Sequence, residues 1–178
     1  MEELLLQDMP YIEYLDGKAY PKAVSPKARH SIVQGAAFTI LRRCSAGIGV
    51  AGTEWDFRLG VADGTQTMFV PDVAVLMLER LRLLPESERE QPPFAPDVAV
   101  EVHSPSYRPA FAAEKIVRYL PTGALLVLDV DPVRRVVVAH SASGVRTFGE
   151  SDRFAHEATP WLSFDVAELF SDLDLLMS

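Results

Sequence analysis

The chain has a single cysteine, Cys44, among its 178 residues. It can form no internal disulfide and no zinc site built from several cysteines. Such usage suits a reducing compartment, and a cytoplasmic location is the expectation. Long apolar runs are also missing. Nothing approaches the roughly 20 apolar residues that cross a bilayer as a helix. The first ten residues have neither a basic stretch nor a long apolar one, so no secretory signal is expected. Basic residues are in short supply: 17 Lys and Arg face 25 Asp and Glu, a net charge of −8. A protein that grips nucleic acid over its whole surface needs clustered Lys and Arg, so this balance argues against one. A local basic groove, or acidic residues that serve a divalent metal, are compatible with it. Internal repeats and low-complexity segments are absent.

What is present is ordinary for a globular protein: 48% apolar and 24% charged residues. The length suits one domain with a real core and is too short for two comfortable ones. A single domain over 1–178 is therefore expected.

Residues 11–24 read as an N-terminal β-hairpin, because Asp16-Gly17 is a strong two-residue turn signal. A helix is predicted from Ser25-Pro26, with Ser as N-cap and Pro in the first turn. Ile32, Val33, Ala36, Ala37, Ile40 and Leu41 continue it at helical spacing to about residue 43. Residues 50–60 read as a strand holding Trp55 and Phe57. Residues 68–76 read as one buried strand, interrupted in polarity only by Asp72. The charged, proline-bearing stretch 79–93 reads as a surface excursion. Two further buried strands follow at 97–102 and 124–130, with a helix over about 109–120 between them that Pro121 and Gly123 stop. Asp131-Pro132 turns the chain into a hairpin over 134–140. A strand near 145–148 and a short helix opened by Asp165 complete an α/β domain, a central mixed sheet with a helix on each face.

Asp72 and Glu101 are carboxylates inside otherwise apolar strands. Burying one without a partner is costly, and two close together raise each other's pKa. A divalent cation removes both penalties, and a hard cation such as magnesium prefers such oxygens. Singly, each has an ordinary reading: Asp72 caps a turn at a strand end, and Glu101 faces solvent at a sheet edge. Adjacent strands would place them side by side. Lys115 flanks the helical stripe of Ala112, Ile116, Tyr119 and Leu120. It either reaches back toward Glu101 or snorkels, with its stem buried and its amine in water.

Val70-Pro71-Asp72, the run from Glu101 through Val102, His103 and Ser104 to Pro105 and Ser106, and Lys115 followed by Tyr119 and Gly123 resemble the PD-(D/E)XK nuclease superfamily. The closer resemblance is to its Uma-two family of restriction-endonuclease-like proteins. It extends to residues 11–17, to Ser25-Pro26 with His30, and to residues 127–132. The resemblance implies a restriction-endonuclease-like core and metal-dependent hydrolysis of nucleic-acid phosphodiesters, with DNA the expected substrate. It implies magnesium or manganese held by Asp72, Glu101 and the backbone carbonyl of Val102. Lys115 becomes the third catalytic residue, with His30 and Glu13 as supporting residues, and a homodimer is expected by analogy. The chain departs from the usual pattern at His103, where the E-x-K motif has its lysine, and at Tyr107, where the family often has a small or acidic polar residue.

Other readings rest on less. Ser104 beside His103 lacks the Gly-x-Ser-x-Gly setting of a nucleophile. His30, His103, His140 and His156 match no zinc spacing. Trp55 and Trp161 could stack on bases, but core packing is their ordinary role. A nuclease fold that has lost catalysis and serves as an interaction module is the alternative that the acidic balance favours.

Overall fold

The computed structural model describes residues 12–22, 27–62, 65–104 and 109–177. The N-terminal hairpin pairs β1 (Ile12–Leu15) with β2 (Lys18–Pro21), Leu15 opposite Lys18. Asp16 and Gly17 take φ of 49° and 78°, the two positive values that a tight hairpin matched to strand twist requires. Helix α1 (Ala28–Cys44) follows. The expected Ser25-Pro26 cap lies outside the described residues, and Lys27 stands at the N-cap position.

Next come β3 (Gly49–Thr53), β4 (Phe57–Ala62), β5 (Thr65–Phe69) and β6 (Val73–Met77), short helices α2 (Leu78–Leu83) and α3 (Glu86–Arg89), β7 (Val98–Val102) and α4 (Pro109–Tyr119). The chain closes with β8 (Leu126–Asp131), β9 (Val136–Ser141), β10 (Gly144–Gly149), β11 (Arg153–Ala155), β12 (Ser163–Asp165), a 3-10 turn over Val166–Leu169 and α5 (Ser171–Met177).

A six-stranded sheet runs in the order β10-β9-β8-β7-β6-β3. It is mixed: β7 and β8 are parallel, and every other neighbouring pair is antiparallel. Strand alternation sends Val73, Val75, Val98, Val100, Leu126 and Leu128 into one cluster with Val33, Ala37, Ile40 and Leu41 of α1. The intervening Ala74, Leu76, Ala99 and Val127 pack on the other face with Tyr119 of α4, and Ile116 and Leu120 lie against them. A helix thus covers each face, as the sequence pattern predicts. The C-terminal segment extends the α1 side. Phe154 and Phe164 face each other across β11 and β12 with ring centroids 4.9 Å apart. The Glu168 side chain accepts the Asp165 N–H at 3.0 Å.

Two strand assignments need correction. Residues 68–76 are not one strand. β5 belongs to a second sheet, ordered β2-β1-β5-β4, and β6 belongs to the six-stranded one. Pro71 has no N–H to give a ladder, and the chain changes sheet at Val70-Pro71-Asp72. Residues 50–60 also divide, β3 going to the large sheet and β4 to the small one. Glu54 stands between them with φ of 51°. Trp55, in the same link, is half-buried against Phe57 and donates its indole N–H to the Glu90 carbonyl at 2.8 Å.

Candidate metal and active centre

The change of sheet at Pro71 positions the centre. It leaves Asp72 just ahead of β6, beside the end of β7. The register Val73↔Val100 puts Val102 level with the segment before β6. The Asp72 carboxylate is buried, and its Oδ2 accepts the Val102 N–H at 2.7 Å and lies 3.2 Å from His30 Nε2 on α1. Its Oδ1 accepts Lys22 Nζ at 2.7 Å.

Glu101, one residue earlier on β7, points to the α4 face. Its Oε1 meets Lys115 Nζ at 2.6 Å and the Tyr119 hydroxyl at 3.0 Å. Lys115 Nζ is also 2.6 Å from Oε1 of Glu13 on β1, which accepts the Val70 N–H at 2.9 Å as well. The Lys115 side chain is only 3% exposed. Its amine is therefore paired and buried, which removes the snorkelling reading. The rings of Phe69, Phe111 and Tyr119 stand 5.5–5.9 Å from it, close enough for their faces to favour a cation.

Thus Asp72, Glu101, Lys115, His30 and Glu13 converge, although they come from five different segments. The helix period explains Lys115: it follows Ala112 and precedes Tyr119 on the buried side of α4. The edge of the centre continues along the same face of β7 and β8. Glu101 is opposite Asp129 in the parallel register, and His103 Nε2 is 2.6 Å from Asp129 Oδ1.

Sequence reasoning missed Lys22, Glu54 and Gln34. Lys22 Nζ contacts Glu54 Oε2 at 2.9 Å and the Val70 carbonyl at 2.7 Å in addition to Asp72. Gln34 Nε2 donates to Glu54 Oε1 at 2.7 Å and to the Asp72 carbonyl at 3.0 Å. Nothing in the pattern distinguishes Lys22 from Lys18 or Lys27. Its role follows from a hairpin and a sheet change that bring residues 22, 54 and 72 together.

The electrostatics divide the two acids. Burial pushes Asp72 upward, but Lys22 and then His30 overcome it and hold the carboxyl well below its usual range. Burial, with Glu13 and Asp72 adding to it, pushes Glu101 up to about 7 against the pull of Lys115. Burial works against charge on both lysines, yet the carboxylates raise them above the ordinary lysine value and keep them charged. Burial beside Glu101 drives the Tyr119 hydroxyl well upward, so it acts as a donor.

Among the described residues, no group of three or more His, Cys, Asp or Glu side chains is placed to hold a metal alone. The oxygen set of Asp72, Glu101 and the Val102 carbonyl is the kind that magnesium uses, with water and substrate completing its shell. These donors fit a hard divalent cation, provided that Lys22 yields Asp72 Oδ1.

Two carboxylates, Asp72 and Glu101, at the meeting of two antiparallel strands, with a helix lysine closing on one of them, form the candidate centre of this α/β fold. The chain belongs to the Uma2 family, described as "Putative restriction endonuclease", whose model matches residues 1–167. Among solved structures it is similar to a "putative nuclease belonging to DUF820" from Anabaena variabilis ATCC 29413. The TM-score is 0.79 at 22% identity, over 96% of each chain, which establishes a shared fold. No curated protein matches the chain.

Proposed function

We propose that this protein is a metal-dependent endonuclease that hydrolyses phosphodiester bonds in DNA, acting as a single domain over 1–178. The observation that carries the reading is the convergence of Asp72, Glu101 and Lys115, the first and last buried and Glu101 partly so, each held by named partners. Asp72, Glu101 and the Val102 carbonyl would hold magnesium or manganese, which when bound supplies charge for the scissile phosphate and makes water more acidic. Lys115 is the positive group of the chain itself. Two of its three N–H donors go to Glu13 and Glu101, and the third serves a phosphoryl oxygen or the attacking water. Glu13 positions Lys115 and fixes the Val70 backbone. His30 orients Asp72. A cytoplasmic homodimer, with one centre for each strand of a duplex, completes the proposal.

The second reading is a nuclease fold that binds a partner without cutting, favoured by the net charge of −8. Incubation of wild type, Asp72→Asn and Lys115→Met with circular duplex and single-stranded DNA, in manganese and in EDTA, separates the two. The proposal expects cleavage by the wild type in manganese alone. Folded wild-type protein that leaves both substrates intact favours the binding module.

A further inference from the structure

Lys22 lies where a divalent cation would need to approach Asp72. Its ammonium meets three oxygens: Asp72 Oδ1 at 2.7 Å, Glu54 Oε2 at 2.9 Å and the Val70 carbonyl at 2.7 Å. An ammonium has three N–H donors, and all three are used. The partners are two carboxylates and a backbone carbonyl, the hard-oxygen chemistry that a magnesium or manganese ion takes. The other oxygen of Asp72 is engaged by Val102 and His30. Oδ1 is thus the atom that a metal must claim, and Lys22 holds it. The Lys22 side chain is 17% exposed, against 4% for Asp72, so it closes the cradle from the solvent side. It also follows directly on the hairpin strand β2.

We infer that Lys22 guards the one metal-ligand oxygen it holds, Asp72 Oδ1, which it neutralises in the metal-free protein and must leave before a divalent cation binds. The inference rests on the proposed role of Asp72 as a metal ligand. It assigns to Lys22 a function opposite to that of Lys115. Lys115 assists the chemistry from the α4 side, whereas Lys22 competes with the metal and sets the concentration at which the centre fills. Glu54 and the Val70 carbonyl are the resting contacts that Lys22 gives up together with Asp72.

Two measurements on the full chain test this. In the first, manganese is titrated calorimetrically into wild type, Lys22→Met, Lys22→Gln and the charge control Lys18→Met. Lys22→Met and Lys22→Gln should bind manganese at least about tenfold more tightly than wild type, and Lys18→Met should match wild type. The Gln variant retains an amide donor for Asp72 if the Met variant folds poorly. Equal or weaker binding by the Lys22 variants overturns the inference while leaving the metal centre standing. An equal gain in Lys18→Met also overturns it, since net charge would then explain the effect. If no protein binds manganese, the metal reading fails and this inference fails with it. The second measurement needs no variant at Lys22. In nitrogen-15-labelled wild type, the hydrogen-bonded Lys22 ammonium signal should disappear as magnesium saturates the protein, because a released ammonium exchanges rapidly with water. A signal that persists at saturation overturns the inference.

Discussion

Replacing Lys115 with Met tests the charge balance of the centre. Met keeps much of the aliphatic stem that packs among Phe69, Phe111 and Tyr119, so the principal loss is the cation. Glu13 and Glu101 each lie 2.6 Å from Nζ, with side chains 4% and 13% exposed. Removing one partner of a buried ion pair costs about 3–5 kcal/mol, because the other charge stays buried without compensation. Here the lower end applies. Glu101 is already pushed up to about 7, so it can take a proton at neutral pH with little penalty. We expect a loss of about 3 kcal/mol. For a chain of this size that lowers Tm by roughly 6–12 °C. Urea unfolding in EDTA, followed through Trp55 and Trp161 fluorescence, gives the value directly. A loss below about 1 kcal/mol, the range of an exposed pair, would refute the reasoning that Lys115 neutralises two buried acids.

Three further outcomes are expected. Glu101 is held near 7 when folded against an ordinary 4.5, so the unfolded chain loses this proton first as pH rises. Its contribution to stability is full below about pH 4.5 and is lost as pH climbs through 7; Glu101→Gln lacks this loss, and its stability relative to wild type should improve by a few kcal/mol between pH 5 and 8 in metal-free buffer. A flat difference across that range would contradict it. Tyr119→Phe removes the 3.0 Å hydrogen bond to Glu101 and keeps the ring, so equilibrium unfolding should show a loss of about 1–2 kcal/mol; no loss at all would mean that the hydroxyl does not support Glu101. Gly123 has φ of 115°, and a Cβ there would stand 2.9 Å from Arg80 Nη2. Gly123→Ala should lower Tm through backbone strain, and an unchanged melting curve would contradict this.

Much of the scaffold was legible because it depends on local rules. Asp16-Gly17 specifies a tight turn through φ alone. The apolar runs of β7 and β8, interrupted only by Glu101 and by Asp129 and Asp131, mark strands covered on both faces. The spacing of Ala112, Lys115 and Tyr119 places a lysine beside a buried stripe. The strand containing Asp72 reads as one because the apolar pattern runs from Met68 to Leu76 with Asp72 as its single polar member. Only Pro71 hints at the break, and which sheet each half joins is a tertiary matter. The cradle around Lys22 is less legible still. Glu54 and Lys22 are separated from Asp72 by 18 and 50 residues, and no periodicity links them. The contacts that hold the centre in register, from Glu13 to Val70 and from Gln34 to Glu54, depend on the same long-range assembly.

The most direct test of the account is whether Asp72 and Glu101 hold a divalent cation. Manganese titration calorimetry on wild type and on the folded Asp72→Asn/Glu101→Gln double variant measures it. The account predicts saturable binding to the wild type and none to the variant. Equal binding to both proteins, or none to the wild type, would contradict it.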